Sequence, residues 1–355
     1  MEAKTMKALI YHGGQNNIAL EDVPIPSLQE PSDALVRVTL STICGSDIHI
    51  VGGHLKVPGP VLMGHEFCGE VVETGIGVSK FKVGDRVLVS CITSCGVCEN
   101  CRNGQPVHCE AKDTGCFGTN TGLAGCQTEF IRIPFADNSM YLIPDKLTEE
   151  DVLFAGDILS TGYFGAEQIN IKPGDSVLIV GAGPVGICAA ITARLWGPAK
   201  IIMVDGIQYR LDACSKAGVA DVIINFQEED TLARVKELTD GRGVDKAIEA
   251  IGLESTLVTC LNAVRYGGNV ATLGVYSTAV KLPLQRLWNK NLTISTGFVP
   301  MDRVPELLAL IQAGKIDTGF LITHRAPLND IIKGYEVFGN RQDDCIKWLV
   351  TPYQP

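Results

Sequence analysis

Two hydrophobic rhythms divide this chain. From Met6 to about Ala155 the apolar residues fall in short runs separated by turn residues, and in residues 34–40 (ALVRVTL) Leu35, Arg37 and Thr39 alternate with Val36, Val38 and Leu40. A period of two sends successive side chains to opposite faces of a strand, so this part is expected to be β-rich. After Lys172-Pro173-Gly174-Asp175 the rhythm changes. Apolar runs at 177–180 and 201–204 alternate with helical stretches, and the units continue through 222–225, 246–249, 269–273 and 292–295. Continuous apolar strands belong to a parallel sheet covered on both faces by crossover helices, and about six of them suit a doubly wound Rossmann sheet. From Val304 onward the chain reads as mixed helix and irregular structure and is assigned back to the first domain, which becomes discontinuous. The expected fold class is α/β, with domains at 1–157, 158–297 and 298–355, the last rejoining the first.

Residues 176–193 carry no charge, a run of 18 that reaches the lower length of a membrane span. Gly181-Ala182-Gly183-Pro184 interrupts it and divides it into a strand, a tight turn and a helix from 185 to about 196, so no membrane span is expected. Lys and Arg number 30 against 40 Asp and Glu, a formal charge of −10 without any basic block, which speaks against nucleic acid as a partner. The opening MEAKTMKALIYHGG shows no charged start followed by an apolar stretch and a small-residue cleavage site, so the cytoplasm is the expected compartment. In a reducing compartment, thirteen cysteines point to metal ligation or buried thiols rather than disulfides.

Gly181-Ala182-Gly183-Pro184-Val185-Gly186 fits G-x-G-x-x-G. In a chain with 38 glycines the match gains weight only from its context: it follows one apolar strand, opens a helix and precedes a second strand ending at Asp205. The first glycine permits the turn, the second lets the backbone approach a pyrophosphate, and the third lets helix and strand pack closely. Asp205 stands 19 residues after Gly186, near the spacing of an acid that hydrogen-bonds a ribose 2′-hydroxyl. Its charge would repel a 2′-phosphate, which favours NAD over NADP; Arg210 is the alternative, as a partner for that phosphate.

Cys95, Cys98, Cys101 and Cys109 are spaced C-x2-C-x2-C-x7-C in a lobe at 91–112. Four thiolates brought together by short turns make a closed tetrahedral zinc site, which holds a fold and leaves no position for chemistry. A second group of donors is scattered: Cys44 in CGSDIH, His65 and Glu66 in GHE, and Asp157. Sulfur, nitrogen and oxygen in one set is the mixture an open zinc site uses.

Residues 64–78 (GHEFCGEVVETGIGV), with Cys44 upstream, the four-cysteine lobe downstream and GAGPVG further on, resemble the zinc-containing alcohol dehydrogenases of the medium-chain dehydrogenase/reductase superfamily. The likeness runs over nearly the whole chain. It implies a GroES-like catalytic domain beside the Rossmann domain, two zinc ions per chain, and Cys44, His65 and Asp157 as ligands of the catalytic zinc. Glu66 would stand beside them as an outer group or an exchangeable fourth ligand. Ser46 and His49 resemble the proton relay, Thr161 the residue beneath the nicotinamide, and Arg210 the basic residue near the adenosine ribose. Many members of the family have cysteine where this chain has Asp157, in DILSTGYFGAE. The carboxylate keeps the charge count, and it resembles the bacterial secondary alcohol dehydrogenases. Together with GFVP at 297–300, this makes small secondary alcohols and their ketones the first substrate class. A homotetramer or dimer with the Rossmann half at the interface is the expectation that the resemblance carries.

Other readings stay open. Pocket shape is not written in motifs, so a polyol or diol dehydrogenase of the sorbitol or butanediol type is the runner-up. A zinc-free quinone or enoyl reductase would not need Cys44, His65 and Asp157, and a non-catalytic binding protein would not need Ser46 and His49. His12, His54, His108 and His324 lack such company and are read as structural or surface residues.

Overall fold

The computed structural model describes residues 4–119 and 122–353. They form two compact units, one of Met1–Asp157 with Pro300–Pro355 and one of Ile158–Val299.

In the first unit a mixed sheet runs in the order Met140–Leu142, Arg86–Val89, Phe67–Thr74, Ala34–Thr42, Lys347–Thr351, Ile322–Pro327, with Phe130–Ile133 also paired to Ala34–Thr42. The alternation at 34–40 has its physical cause here: Val36 and Val38 are fully buried, packed with Phe67, Val71, Val87, Phe117 and Ile131 in one core. A second core gathers Leu9, Ile43, Ile50, Met63, Tyr335 and Trp348, so side chains between Leu328 and Val350 pack on the segment that carries Cys44. The tail differs from the expected mixture of helix and irregular chain. It contains two parallel strands, Ile322–Pro327 and Lys347–Thr351, and the latter joins the sheet antiparallel to Ala34–Thr42 through Leu349↔Thr42 and Val350↔Ser41. Lys347–Thr351 is a strand because it has partners on both sides, and Ile322–Pro327 is the edge strand laid along it.

The second unit is a six-stranded, all-parallel sheet in the order Val222–Asn225, Lys200–Asp205, Ser176–Val180, Val244–Glu249, Val264–Thr272, Thr293–Thr296. This is the Rossmann order, in which the first strand sits at the switch point between the two halves. Leu178, Val180, Ile202, Val204, Ala247 and Val270 are buried beneath the helices, which is why their strands read as unbroken apolar runs. The fifth strand starts earlier than its apolar residues suggest. Arg265-Tyr266-Gly267-Gly268 looks like a turn, yet Val264 pairs with Val244 and the register shifts before Lys246↔Asn269, so the glycines sit at an irregularity within the strand. The uncharged run at 176–193 becomes the strand Ser176–Val180 and the helix Pro184–Ala193, divided where Gly181 takes φ +109°. Among the described residues no helix is long and apolar enough to cross a membrane.

Candidate active site

The site in the first unit is assembled by three loops and one strand end. Cys44 caps the helix Gly45–Val51, and its N–H donates to Asp47 Oδ2 at 2.9 Å, which fixes the thiol at the start of that helix. His65 and Glu66 follow Gly64, whose φ of +94° turns the chain into the strand Phe67–Thr74. Gly64 has no room for a side chain either, since a Cβ there would meet Gln127 and Cys126. Asp157 lies just beyond the turn Leu153–Gly156.

These loops bring Cys44, His65, Glu66 and Asp157 together, with one donor atom from each within 4.8 Å of all the others. Asp157 Oδ2 lies 3.3 Å from His65 Nε2 and 3.8 Å from Cys44 Sγ. Glu66 Oε2 is buried without a hydrogen-bond partner, and a buried carboxylate oxygen left unpaired is expensive unless a cation meets it. Sulfur, imidazole and carboxylate in one buried cluster, with one oxygen unsatisfied, is a donor set that fits Zn²⁺.

Around His65 the electrostatics are strong. Burial opposes its protonation, but Asp47, Cys116 and Asp157 outweigh burial and hold the imidazole well above its usual pKa. Asp157 is pushed the other way: burial would raise it, and its contact with His65 brings it below the ordinary carboxylate range. Both shifts express one fact, that the cluster attracts positive charge.

The relay residues sit at different depths. Ser46 Oγ lies 3.1 Å from His65 Nε2. His49 is half-buried, meets His54 edge-on at 5.6 Å between ring centroids, and has its pKa lowered by burial and by His54. It makes no hydrogen bond to Ser46 among the described residues, so a proton passing between the two needs an intermediate carrier. Of the other histidines, His12 pairs with Glu21 at 2.7 Å and His324 stacks on Trp348 at 5.3 Å.

Cys95, Cys98, Cys101 and Cys109 also converge, their sulfurs within 4.8 Å of one another. The N–H groups of Val97 and Cys98 point at Cys95 Sγ at 3.4 and 3.3 Å, and that of Cys95 at Cys109 Sγ at 3.2 Å. Backbone donors from Cys101 and Glu110 bring the Cys98 thiol down to about 6. Such donors favour thiolate, the form a metal binds, so this set fits a closed zinc site as well.

In the second unit the glycine motif has the expected mechanics. A Cβ on Gly186 would collide with the carbonyl of Gly181, whereas a Cβ on Gly183 would meet only Arg210 Nη1, at 3.7 Å. Gly183 therefore borders open space at the N-terminus of the helix Pro184–Ala193, whose first turn also carries Val185. Arg210 Nε is buried and unpartnered, which fits an anionic or hydroxylated ligand beside that loop. Asp205 accepts from Ala182 N at 2.6 Å, from Gly206 N at 2.7 Å and from Ile207 N at 2.9 Å. Its carboxylate thus ties the glycine loop to the second strand, with acceptor capacity left for a ribose hydroxyl. Thr161 lies on the helix Ile158–Gln168 of the same unit.

Comparison with known proteins decides the family. The alcohol dehydrogenase GroES-like domain matches residues 30–145, and the zinc-binding dehydrogenase domain matches residues 184–313. An alcohol dehydrogenase of Cupriavidus necator is 36% identical over 370 residues, covering 98% of this chain and 99% of that protein. The chain belongs to the zinc-type alcohol dehydrogenases of the medium-chain superfamily. The solved zinc-dependent alcohol dehydrogenase 2 from Streptococcus pneumonia, an apo form, is 38% identical, with a TM-score of 0.92 and 99% of each chain covered. A sorbitol dehydrogenase of Bacillus subtilis is 32% identical over 354 residues, covering 98% of each. For a zinc-type alcohol dehydrogenase the substrates are small alcohols and their carbonyl products.

Two further residues, Asp47 within the CGSDIH segment and Lys347 far from any motif, border this cluster. Asp47 Oδ1 faces His65 Nδ1 at 3.2 Å, while Oδ2 also accepts from Gln127 Nε2 at 3.2 Å, and Gln127 in turn accepts from Tyr335 OH at 2.8 Å. An aspartate three residues after Cys44, at the position where it caps the helix, was the available signal. Lys347 has 0% exposure and donates to Glu66 Oε1 at 2.6 Å. Its signal was a lone lysine in the apolar run 346–350.

A carboxylate behind a ligating imidazole fixes its tautomer and aim. Asp47→Ala is expected to weaken zinc at the Cys44 site roughly 10–100-fold, measured by competition with a chromophoric chelator.

Proposed function

We propose that this chain is a zinc-dependent dehydrogenase that moves a hydride between small secondary alcohols or their ketones and NAD. The observation that carries the reading is the buried quartet of Cys44, His65, Glu66 and Asp157, with its unpaired carboxylate oxygen. Cys44, His65 and Asp157 would hold the catalytic zinc, and the four-cysteine lobe a structural one. When bound, the catalytic zinc supplies Lewis acidity, lowering the pKa of an alcohol placed beside it.

The protein's own residues do the rest. Asp47 holds His65 in one orientation. Ser46 Oγ, at 3.1 Å from His65 Nε2, takes the proton that the alcohol loses. His49, half-buried and with its pKa lowered by burial, is the group that takes up that proton in turn. A bound nicotinamide would supply the hydride acceptor, and Thr161, on the helix Ile158–Gln168, would be one of the residues that hold it. Gly181, Gly183, Pro184, Val185 and Gly186 would receive the pyrophosphate, Asp205 would hold the adenosine ribose and Arg210 would contact it. Initial rates with both nicotinamide cofactors against secondary alcohols, aldehydes and polyols test the reading. Absence of turnover with every alcohol would overturn it. Preference for a polyol would select the second reading, which the similarity to a sorbitol dehydrogenase supports.

Asp205→Ser removes a charge that repels a 2′-phosphate and, with it, the acceptor for Ala182 N. The expected result is a raised KM for NAD, relatively better use of NADP, and about 1.5–3 kcal/mol less stability in denaturant melts.

The second unit is also the surface for self-association. Trp288, Leu284 and Phe298 are 77%, 59% and 50% exposed and flank the edge strand Thr293–Thr296, whose outer side has no partner among the described strands. A homodimer or tetramer built through that edge in the cytoplasm is the assembly that goes with this reading.

A further inference from the structure

Lys347 is the most deeply buried cation among the described residues, and three features fix its place. Its strand pairs with Ala34–Thr42, so it arrives beside Ile43, the residue before Cys44. Its ammonium donates to Ile43 O at 3.1 Å and to Glu66 Oε1 at 2.6 Å, and it lies 5.4 Å from the centre of the Phe154 ring.

We propose that Lys347 is a positioning residue: it pairs with Glu66 and keeps that carboxylate from becoming a permanent ligand, so that the metal retains a position for substrate. The inference rests on the zinc reading above and follows from counting charge. One thiolate and one carboxylate, from Cys44 and Asp157, already balance a divalent cation. Glu66 carries a third negative charge within 4.8 Å of the same donors. Without a counter-charge, a buried carboxylate is driven onto the metal, closing the fourth position. Lys347 supplies that counter-charge through Oε1 and leaves Oε2 unpaired, able to reach the metal only transiently.

A purely structural lysine would fasten the C-terminal strand to the ligand loop and nothing more. The two roles separate in cobalt-substituted protein, where visible d–d bands report coordination and imidazole serves as the added ligand. In the wild type, imidazole shifts the bands. In Lys347→Met its affinity falls roughly ten-fold or more, because Glu66 occupies the position. In Lys347→Met with Glu66→Gln, which leaves no unpaired charge, affinity returns to within about three-fold of the wild type. A responsive wild type with Lys347→Met unchanged, or with no recovery in the double variant, overturns the role of Lys347 alone. A wild type indifferent to imidazole overturns the open-site reading and this inference with it.

Discussion

Asp157→Ala is expected to lower kcat/KM for any alcohol by about a thousand-fold or more, several kcal/mol of transition-state stabilisation, while the four-cysteine metal stays bound. Asp157 Oδ2 faces both Cys44 Sγ and His65 Nε2, so on the proposed zinc reading its loss removes one of three anchors and half of the ligand charge at once. Cys44 and His65 remain, and a cation bound to these two is held loosely and with the wrong charge. Steady-state kinetics together with metal analysis of the same sample check this. Loss of both metals together would mean that the division into two independent sites is wrong.

Cys101→Ser is expected to act in the opposite way, on stability first. The short helices Glu99–Arg102 and Pro106–His108 bury none of their residues, and Val97 is 63% exposed, so the lobe has almost no hydrophobic core. On the proposed zinc reading its shape depends on sulfurs gathered around a cation, and for such modules metal binding is folding free energy. A loss of about 3 kcal/mol would lower Tm by roughly 6–12 °C in a unit of this size. The check is a thermal melt with and without added chelator. At a temperature where the variant stays folded, kcat should remain within about three-fold of the wild type, because a closed site takes no part in chemistry.

Local chemistry was legible in the sequence and long-range chemistry was not. The doubly wound sheet announced itself because its strands are buried on both faces and therefore read as continuous apolar runs. Cys44, His65, Glu66 and Asp157 drew attention through residue type and motif order, and the fold does bring them together. The glycine turn is likewise a local property, set by the φ of Gly181 and the crowding at Gly186. Lys347 is different. It stands 281 positions from Glu66, in a strand whose partners come from the start of the chain, and no spacing rule connects the two. The tail strands were missed for the same reason: pairing with both Ala34–Thr42 and Ile322–Pro327, not an alternating pattern, makes Lys347–Thr351 a strand. Asp47 lay within a motif already singled out, but its task of aiming His65 depends on the Gln127 and Tyr335 behind it.

The central claim is one cation held by Cys44, His65 and Asp157, separate from the one among the four clustered thiols. Elemental analysis of active wild-type protein beside Asp157→Ala tests it most directly. Close to two zinc ions per chain in the former and close to one in the latter is the predicted result. One zinc per chain in fully active wild type, unchanged by the substitution, would contradict it.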